Sequence, residues 1–302
     1  MATNVGSRKI TMALVEGPLT NPLIGGDIAV GGNVDWSIVA GTSVDQNSRK
    51  MLNGDFDVAE MSFATYVKAR ELGQDLIGLP IFTGRGYLQP GVVVSSKSGV
   101  TRPEELAGKR VLLPQFWMTS SVWHRGILAQ QHHVPATAVT WLTTSEERFD
   151  GVTFPAGTRV ERLTGIEKME QALTEDKADA YMTPPRGAPK NMDGLLRSPY
   201  PDLVEAQRAY FKATGVFPIM HFVLMRESLH KEMPDLAGRL MTAFAEAKKR
   251  ATAQGALPSL AGESWEFGLA ANKAALDTFF GFVHDQGWVA KSINAQTCFV
   301  SG

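Results

Sequence analysis

The chain has 302 residues, 44% of them hydrophobic and 20% charged, an ordinary globular composition and enough for one large or two modest domains. Thirty basic residues against 31 acidic ones, with no long run of one sign, leave no field to attract nucleic acid or an anionic membrane, so neither partner is expected. The one cysteine, Cys298, excludes an internal disulfide and a paired-thiol metal site and reads as a buried or tolerated thiol.

The segment Met1 to Lys9 has no apolar core ahead of a small-residue cleavage site. No stretch approaches the roughly 18 apolar residues of a membrane span. A cytoplasmic location is therefore expected, unless a leader has been removed.

In chain order, Ile10 to Val15 is the first predicted strand. Gly25-Gly26 and Gly31-Gly32 read as turn glycines rather than a dinucleotide fingerprint, since no helix pattern follows them. Phe56 to Glu60 is a short strand that runs into a helix over Met61 to Leu72, ended by Gly73. Leu76 to Phe82 and Gly91 to Val94 are apolar runs bounded by Gly and Pro, as buried strands are. Thr101 to Gly108 predicts a capped one-turn helix with Pro103 near its start, and Lys109 to Leu113 a strand that opens a second β-α set. A helix starts at Met118-Thr119, runs through Leu128 and ends at His132-His133, where positive charge suits the helix dipole. Thr143 to Thr158 is a long loop without periodicity, either a lid or a surface excursion.

Leu173 to Tyr181 then repeats the pattern of Leu52 to Glu60. In both, a helix ends in a polar turn and an aspartate-bearing strand leads to a loop, Glu60-Met61-Ser62 in one case and Met182 to Arg186 in the other. Phe217 to Met225 is a returning strand, followed by helices from about Pro234 to Lys249 and Trp265 to Asp285. Alternating strands and helices argue for parallel sheets with crossover helices. The expected fold is α/β, two lobes with a sheet each, flanked by helices, and a ligand cleft at the carboxyl ends of the strands. Lobe 1 is expected over residues 1–95 and 221–302, lobe 2 over 96–220.

Several blocks carry a resemblance. The run Met51 to Phe63, the Leu-Ala-Gly-Lys-Arg-Val turn at 106 to 111, the run Met118 to Leu128 and Pro218-Ile-Met-His221 resemble the 4,5-dihydroxyphthalate decarboxylases. That family implies the type II periplasmic-binding-protein fold with two mixed sheets. The likeness covers most of the chain in scattered blocks. Three segments depart from the family pattern. Pro18-Leu19 stand where an acidic and a basic residue are usual, Leu88-Gln89 replace Arg-His, and Thr143-Thr144 replace Gly-Gly. The resemblance thus implies the fold more firmly than the diacid substrate, and it points to a less charged pocket.

Cofactor-free decarboxylation of a hydroxylated aromatic acid needs a proton delivered to the carbon that bears the carboxylate, an anion-binding group and an apolar slot. Glu60 stands where a strand gives way to a helix; with its pKa raised by burial it is a candidate proton donor, and otherwise a helix cap or ion-pair partner. Ser62 caps that helix or holds a carboxylate. Arg85 and Arg186 each follow a strand, where a guanidinium grips a carboxylate or makes an ordinary ion pair. Thr119 is the expected cap of its helix, and Ser120 and Ser121 with the free first-turn amides make an anion site, with Trp123 close by. His124 shares a face with Ser120 and is either catalytic or simply packed. His221 either donates a proton, orients Glu60, or is a satisfied core histidine.

No His-Glu-x-x-His, paired Cys, phosphate loop or Gly-x-Ser-x-Gly elbow is present, and no spacing suggests a metal or cofactor site. The leading expectation is a cofactor-independent decarboxylase of a small aromatic or unsaturated carboxylic acid, with that carboxylate as its only expected partner. Two alternatives stand beside it: a solute-binding protein of a transporter, and another lyase of the same fold of the menaquinone-pathway kind. A homo-oligomer is left open.

Overall fold

A computed structural model describes residues 8–184, 194–260 and 262–300. The described strands are β1 (Arg8–Ala13), β2 (Val34–Val39), β3 (Val58–Ser62), β4 (Ile77–Gly78), β5 (Gly84–Arg85), β6 (Val92–Ser95), β7 (Arg110–Leu113), β8 (Thr140–Thr143), β9 (Arg159–Arg162), β10 (Ala180–Met182), β11 (Leu196–Arg197) and β12 (Ile219–Met225). The helices are α1 (Asn21–Ile24), α2 (Val44–Asn53), α3 (Phe63–Glu71), α4 (Thr119–His132), α5 (Met169–Thr174), α6 (Leu203–Thr214), α7 (Glu227–Glu232), α8 (Leu236–Ala253), α9 (Lys273–Asp285) and α10 (Ala295–Cys298). None of the described helices is long and apolar enough to cross a membrane.

The described residues fall into two compact units, one drawn from Met1–Arg85, Ile219–Leu276 and Lys291–Gly302, the other from Gly86–Pro218 and Asp277–Ala290. The first break lies at Arg85/Gly86 rather than at the expected 95/96, because β6 pairs antiparallel with β10 and so belongs to the second sheet. Residues 277–290 also join the second unit. There Phe279 and Phe282 pack on Trp123 of α4, with ring centroids 5.4 and 5.5 Å away. Gly126 permits this approach, since a Cβ there would come within 2.2 Å of the Phe282 ring.

The first unit holds a mixed sheet in the order β2-β1-β3-β12-β4, with β5 paired to β12. β1 runs parallel to β2 and β3, and β12 returns antiparallel to β3. Its core joins Ile10, Met12 and Val58 of the sheet to Leu240 and Phe244 of α8. The second unit holds the order β11-β6-β10-β7-β8-β9, with β7 parallel to β10 and β8 and β6 antiparallel to β10. Val93, Leu112, Leu142 and Tyr181 pack there against Ala172 and Leu173 of α5.

The predicted repeat is a matched pair of strand junctions. Asp57, just before β3, donates its N–H to the Thr11 carbonyl and accepts the Thr11 N–H through its carboxylate at 2.8 Å. Asp179, just before β10, does the same with Arg110, again at 2.8 Å from N–H to carboxylate. Each Asp carbonyl then accepts from the antiparallel neighbour, from Arg226 in one unit and Ser95 in the other. A short acceptor side chain at this point closes the end of the ladder where a backbone acceptor is missing.

Several boundaries shift for local reasons. The expected strand to Val15 ends at Ala13, because the Val15 N–H bonds a side chain. The helix expected from Met61 starts at Phe63, since Met61 and Ser62 still pair with Phe222 and His221. The apolar run 76–82 yields only Ile77–Gly78 as strand, because Pro80 has no N–H to offer a ladder. The helix expected from Trp265 starts at Lys273, after Gly268 adopts a φ of 87°. Thr101–Gly108 contributes a 3₁₀ turn at Pro103–Leu106 with no side-chain cap. α2, by contrast, is specified locally: Ser43 and Gln46 form a reciprocal capping box, and Gly54 ends the helix in the left-handed region at φ 99°.

Asp57→Ala and Asp179→Ala are expected to destabilise the protein by about 1–3 kcal/mol each, because each strands an amide without its acceptor. Urea unfolding of the two variants beside the parent measures this, and a loss below the detection limit in both would show that the junctions do not depend on the carboxylates.

Candidate functional site

Glu60 is 1% exposed, yet its carboxylate is fully engaged. Oε2 accepts the Val15 N–H at 3.0 Å from the loop after β1, and Oε1 accepts the Thr83 hydroxyl at 2.8 Å from the segment before β5. Oε1 also pairs with Nδ1 of His221 on β12. In the antiparallel pairing of β3 with β12, His221 stands opposite Ser62 and Val223 opposite Glu60, so the two ionisable side chains share a face on a diagonal. Burial pushes the Glu60 carboxyl up, but the His221 imidazole and the bonds from His221, Thr83 and Val15 outweigh it and leave the carboxyl below its ordinary range.

The direction runs against the proton-donor reading of Glu60 and agrees with the ion-pair alternative, with a histidine as partner. Burial alone suggested a protonated Glu60 that donates; three polar contacts make it instead a carboxylate that accepts. The His221 side chain retains 26% of its exposure, whereas Glu60 retains 2%. With Nδ1–H donated to the carboxylate, Nε2 is the position at which His221 can release or take up a proton. The ring rests on Gly84, where a Cβ would lie 2.1 Å from its Cε1.

Around this pair, Ser62 occupies the N-cap position of α3 without a capping bond from its side chain, and its N–H donates to Ser48 Oγ at 3.3 Å. Arg85 donates to the Glu266 carbonyl at 3.2 Å and to the side-chain oxygen of Asn272, and lies over the Phe82 ring at 5.4 Å from its centroid. Burial pulls its pKa down to about 10 against the pull of the Glu266 carboxylate. The sequence reading missed Thr83 and Gly84, passed over as a mere connection to Arg85, and the backbone of Val15.

In the second unit, α4 begins at Thr119, with Met118 and not Thr119 in the N-cap position. Ser120 and Ser121 are 2% and 0% exposed, and neither hydroxyl has a hydrogen-bond partner among the described residues. An unfilled buried hydroxyl at a helix start, beside first-turn amides, is what an anion would complete. Trp123 is fully buried against Phe279 and Phe282, a core position rather than a ligand-stacking one. His124 is buried with Nε2 at 3.0 Å from the Thr183 carbonyl, and burial drops its pKa to about 4. It is neutral and donates to backbone, so it holds the chain at Thr183 rather than supplying protons. Arg186 lies outside the described residues.

No protein-family model matches the chain. A 4,5-dihydroxyphthalate decarboxylase of Comamonas testosteroni is 24% identical over 309 aligned residues, spanning 92% of each protein. The chain resembles the 4,5-dihydroxyphthalate decarboxylases along nearly its whole length. A second protein of that name, from Pseudomonas putida, is 27% identical over 169 residues, or 54% of this chain and 65% of that one. Among solved structures, the alkanesulfonate-binding protein SsuA of Xanthomonas axonopodis pv. citri aligns over 99% of this chain and 100% of its own, with TM-score 0.57 and 14% identity. The periplasmic aliphatic sulphonate binding protein SsuA of Escherichia coli aligns over 96% and 82%, with TM-score 0.54 and 12% identity. These likenesses show the periplasmic-binding-protein fold, the two-lobed α/β architecture expected from the sequence blocks.

Two outcomes test the geometry. Gly84→Ala is expected to displace the imidazole from Glu60 while leaving the fold intact, as a changed His221 ring resonance in an otherwise native NMR spectrum. Because the folded Glu60 pKa lies below its ordinary value, Glu60 contributes stability that is present above pH 4.5 and lost as the pH falls through the folded value. Urea unfolding from about pH 6 to about pH 3 should therefore show a flatter acid limb in Glu60→Gln than in the parent. Equal slopes would place the titrating carboxylate elsewhere.

Proposed function

We propose that the protein is a cofactor-independent decarboxylase of a small aromatic or unsaturated carboxylic acid, in which His221 handles the proton and Glu60 holds His221. The sealed Glu60 carboxylate bound to a partly exposed imidazole is the observation that carries this reading. A histidine oriented by a buried carboxylate, with its other nitrogen free to exchange a proton, suits general acid catalysis. The curated relatives named decarboxylases support the reaction type.

The step balances simply. Protonated His221 passes the proton on Nε2 to the ring carbon that bears the carboxylate. A hydroxyl ortho or para to that carbon stabilises the resulting cation. The bond to the carboxylate then breaks, its electrons restore the aromatic ring, and carbon dioxide leaves. His221 regains a proton from solvent, and Glu60 remains an anion that holds the ring through Nδ1. In the second unit, the hydroxyls of Ser120 and Ser121 with the first-turn amides of α4 make a site suited to an acidic group. Leu19 and Leu88, both buried, stand where the family usually carries charged side chains, which favours an acid with fewer ionised substituents than a dihydroxyphthalate.

The fold is shared with solute-binding proteins, so the second reading is a receptor that closes on the same acid without reacting. Incubating the pure protein with hydroxybenzoates and hydroxyphthalates and following carbon dioxide release separates the two. Turnover is expected, and His221→Gln should lower kcat by about 100- to 10,000-fold with substrate affinity largely kept. Binding of an acid with no release of carbon dioxide, for every acid tried, would favour the receptor.

A further inference from the structure

The segment Pro114 to Met118 joins β7 to α4 and so sets the first turn of α4, where Ser120 and Ser121 lie. Its Phe116 peptide is gripped from both sides by groups of opposite charge, a buried Arg125 and a half-buried Glu147. Glu147 accepts the Phe116 N–H on Oε1 at 2.6 Å and the Trp117 N–H on Oε2 at 3.2 Å. Arg125, 1% exposed, donates from Nη1 to the Phe116 carbonyl at 2.6 Å and lies 3.6 Å above the centroid of the Phe116 ring. Its other donors reach Gln286 Oε1 at 3.0 and 2.7 Å, and the Gln286 amide donates in turn to the Val122 carbonyl of α4 at 3.0 Å.

The loop that carries Glu147 is fastened along the same segment. Gln115 donates to the Glu146 carbonyl, Trp117 Nε1 to the Thr153 carbonyl at 3.2 Å, and Phe154 packs edge-on against Phe116 at 5.1 Å. Trp117 stacks on Trp288 with centroids 4.5 Å apart and planes 18° from parallel. The excursion between β8 and β9, read from the sequence as a lid or a surface feature, is a strap on the entry to α4.

Taking a guanidinium fully and a carboxylate partly out of water is costly, and well-packed apolar side chains would fill the same volume at no such cost. Burial drives the Arg125 pKa down to about 9 and the Glu147 pKa up, so neither charge is comfortable where it lies. What the two charges provide that apolar groups cannot is directional hold on the backbone of one dipeptide. We propose that Arg125 and Glu147 are positioning residues, which lock the Phe116–Trp117 peptides and thereby hold the first turn of α4 in the geometry that receives an acidic ligand group. This inference rests on the anion-holding role given above to Ser120 and Ser121.

The test uses the full chain with Glu147→Gln, and Glu147→Asp as a milder variant that keeps the charge and shortens its reach. Two readouts are taken: the exciton couplet of the stacked Trp117 and Trp288 in circular dichroism, assigned with Trp288→Phe and read without ligand, and the KM and kcat for 4-hydroxybenzoate and 4,5-dihydroxyphthalate. The expected result in Glu147→Gln, or in Glu147→Asp should the first not fold, is a weakened couplet and a KM raised up to about 100-fold, with kcat within about twofold. An unchanged couplet would overturn the clamp. A lost couplet with unchanged KM would overturn its positioning role. Should the parent protein neither bind nor turn over either acid, the role given to Ser120 and Ser121 fails for these acids, while the couplet still decides whether Glu147 locks the segment.

Discussion

A carboxylate shut away from water is costly unless its oxygens are hydrogen-bonded, and both oxygens of Glu60 are, by donors from three separate stretches of chain. The loop after β1 supplies the Val15 amide, the segment before β5 supplies the Thr83 hydroxyl, and β12 supplies the His221 ring. The position of each is therefore tied to the others through one side chain. Val15 is held from its other face too, because the Thr20 hydroxyl donates to its carbonyl. The same condition that makes the charge tolerable also orients an imidazole that is itself partly exposed, while the carboxylate behind it is not.

The two units solve the problem of a strand junction identically and then diverge. Asp57 and Asp179 bond the neighbouring parallel strand in the same way, which is why the sequence betrays the repeat so clearly: a fixed geometry demanded the same short acceptor twice. Three residues further on, Glu60 has Met182 as its counterpart. Only the first unit puts an ionisable group at that place. In the second, the corresponding loop after β7 is held instead by Glu147, which comes from a distant excursion and not from the neighbouring strand.

What could be read from the residues follows the range of the forces involved. Periodicity, glycine stops and the Asp-bearing strands are local, so β3, β7, α4 and the returning β12 were legible, and with them the fold class. The Trp36-bearing strand β2 and the strand β9 were not anticipated; both lie at the ends of their sheets, where half-exposed side chains blur the apolar pattern. Glu60 and His221 were both legible as candidates, but the direction of the Glu60 pKa was not, because it depends on Thr83 and Val15, which no spacing brings to it. His124 and Trp123 misled for the opposite reason. They share a helix with Ser120 and Ser121, but the packing of α9 and the Thr183 carbonyl claims them for the interior.

The way the chain is shared between the units bears on how the protein is made. Residues 277–290 complete the second unit and residues 291–300 contribute to the first, so each unit is built from segments far apart in sequence. On the ribosome, β1 and β3 are synthesised long before β12 arrives to sit beside β3, and α4 long before Phe279 and Phe282 arrive to cover Trp123. Contacts so distant in sequence form slowly and leave apolar strand and helix faces uncovered meanwhile. Neither unit can therefore close before the strand or helix that returns to it from far along the chain has been made.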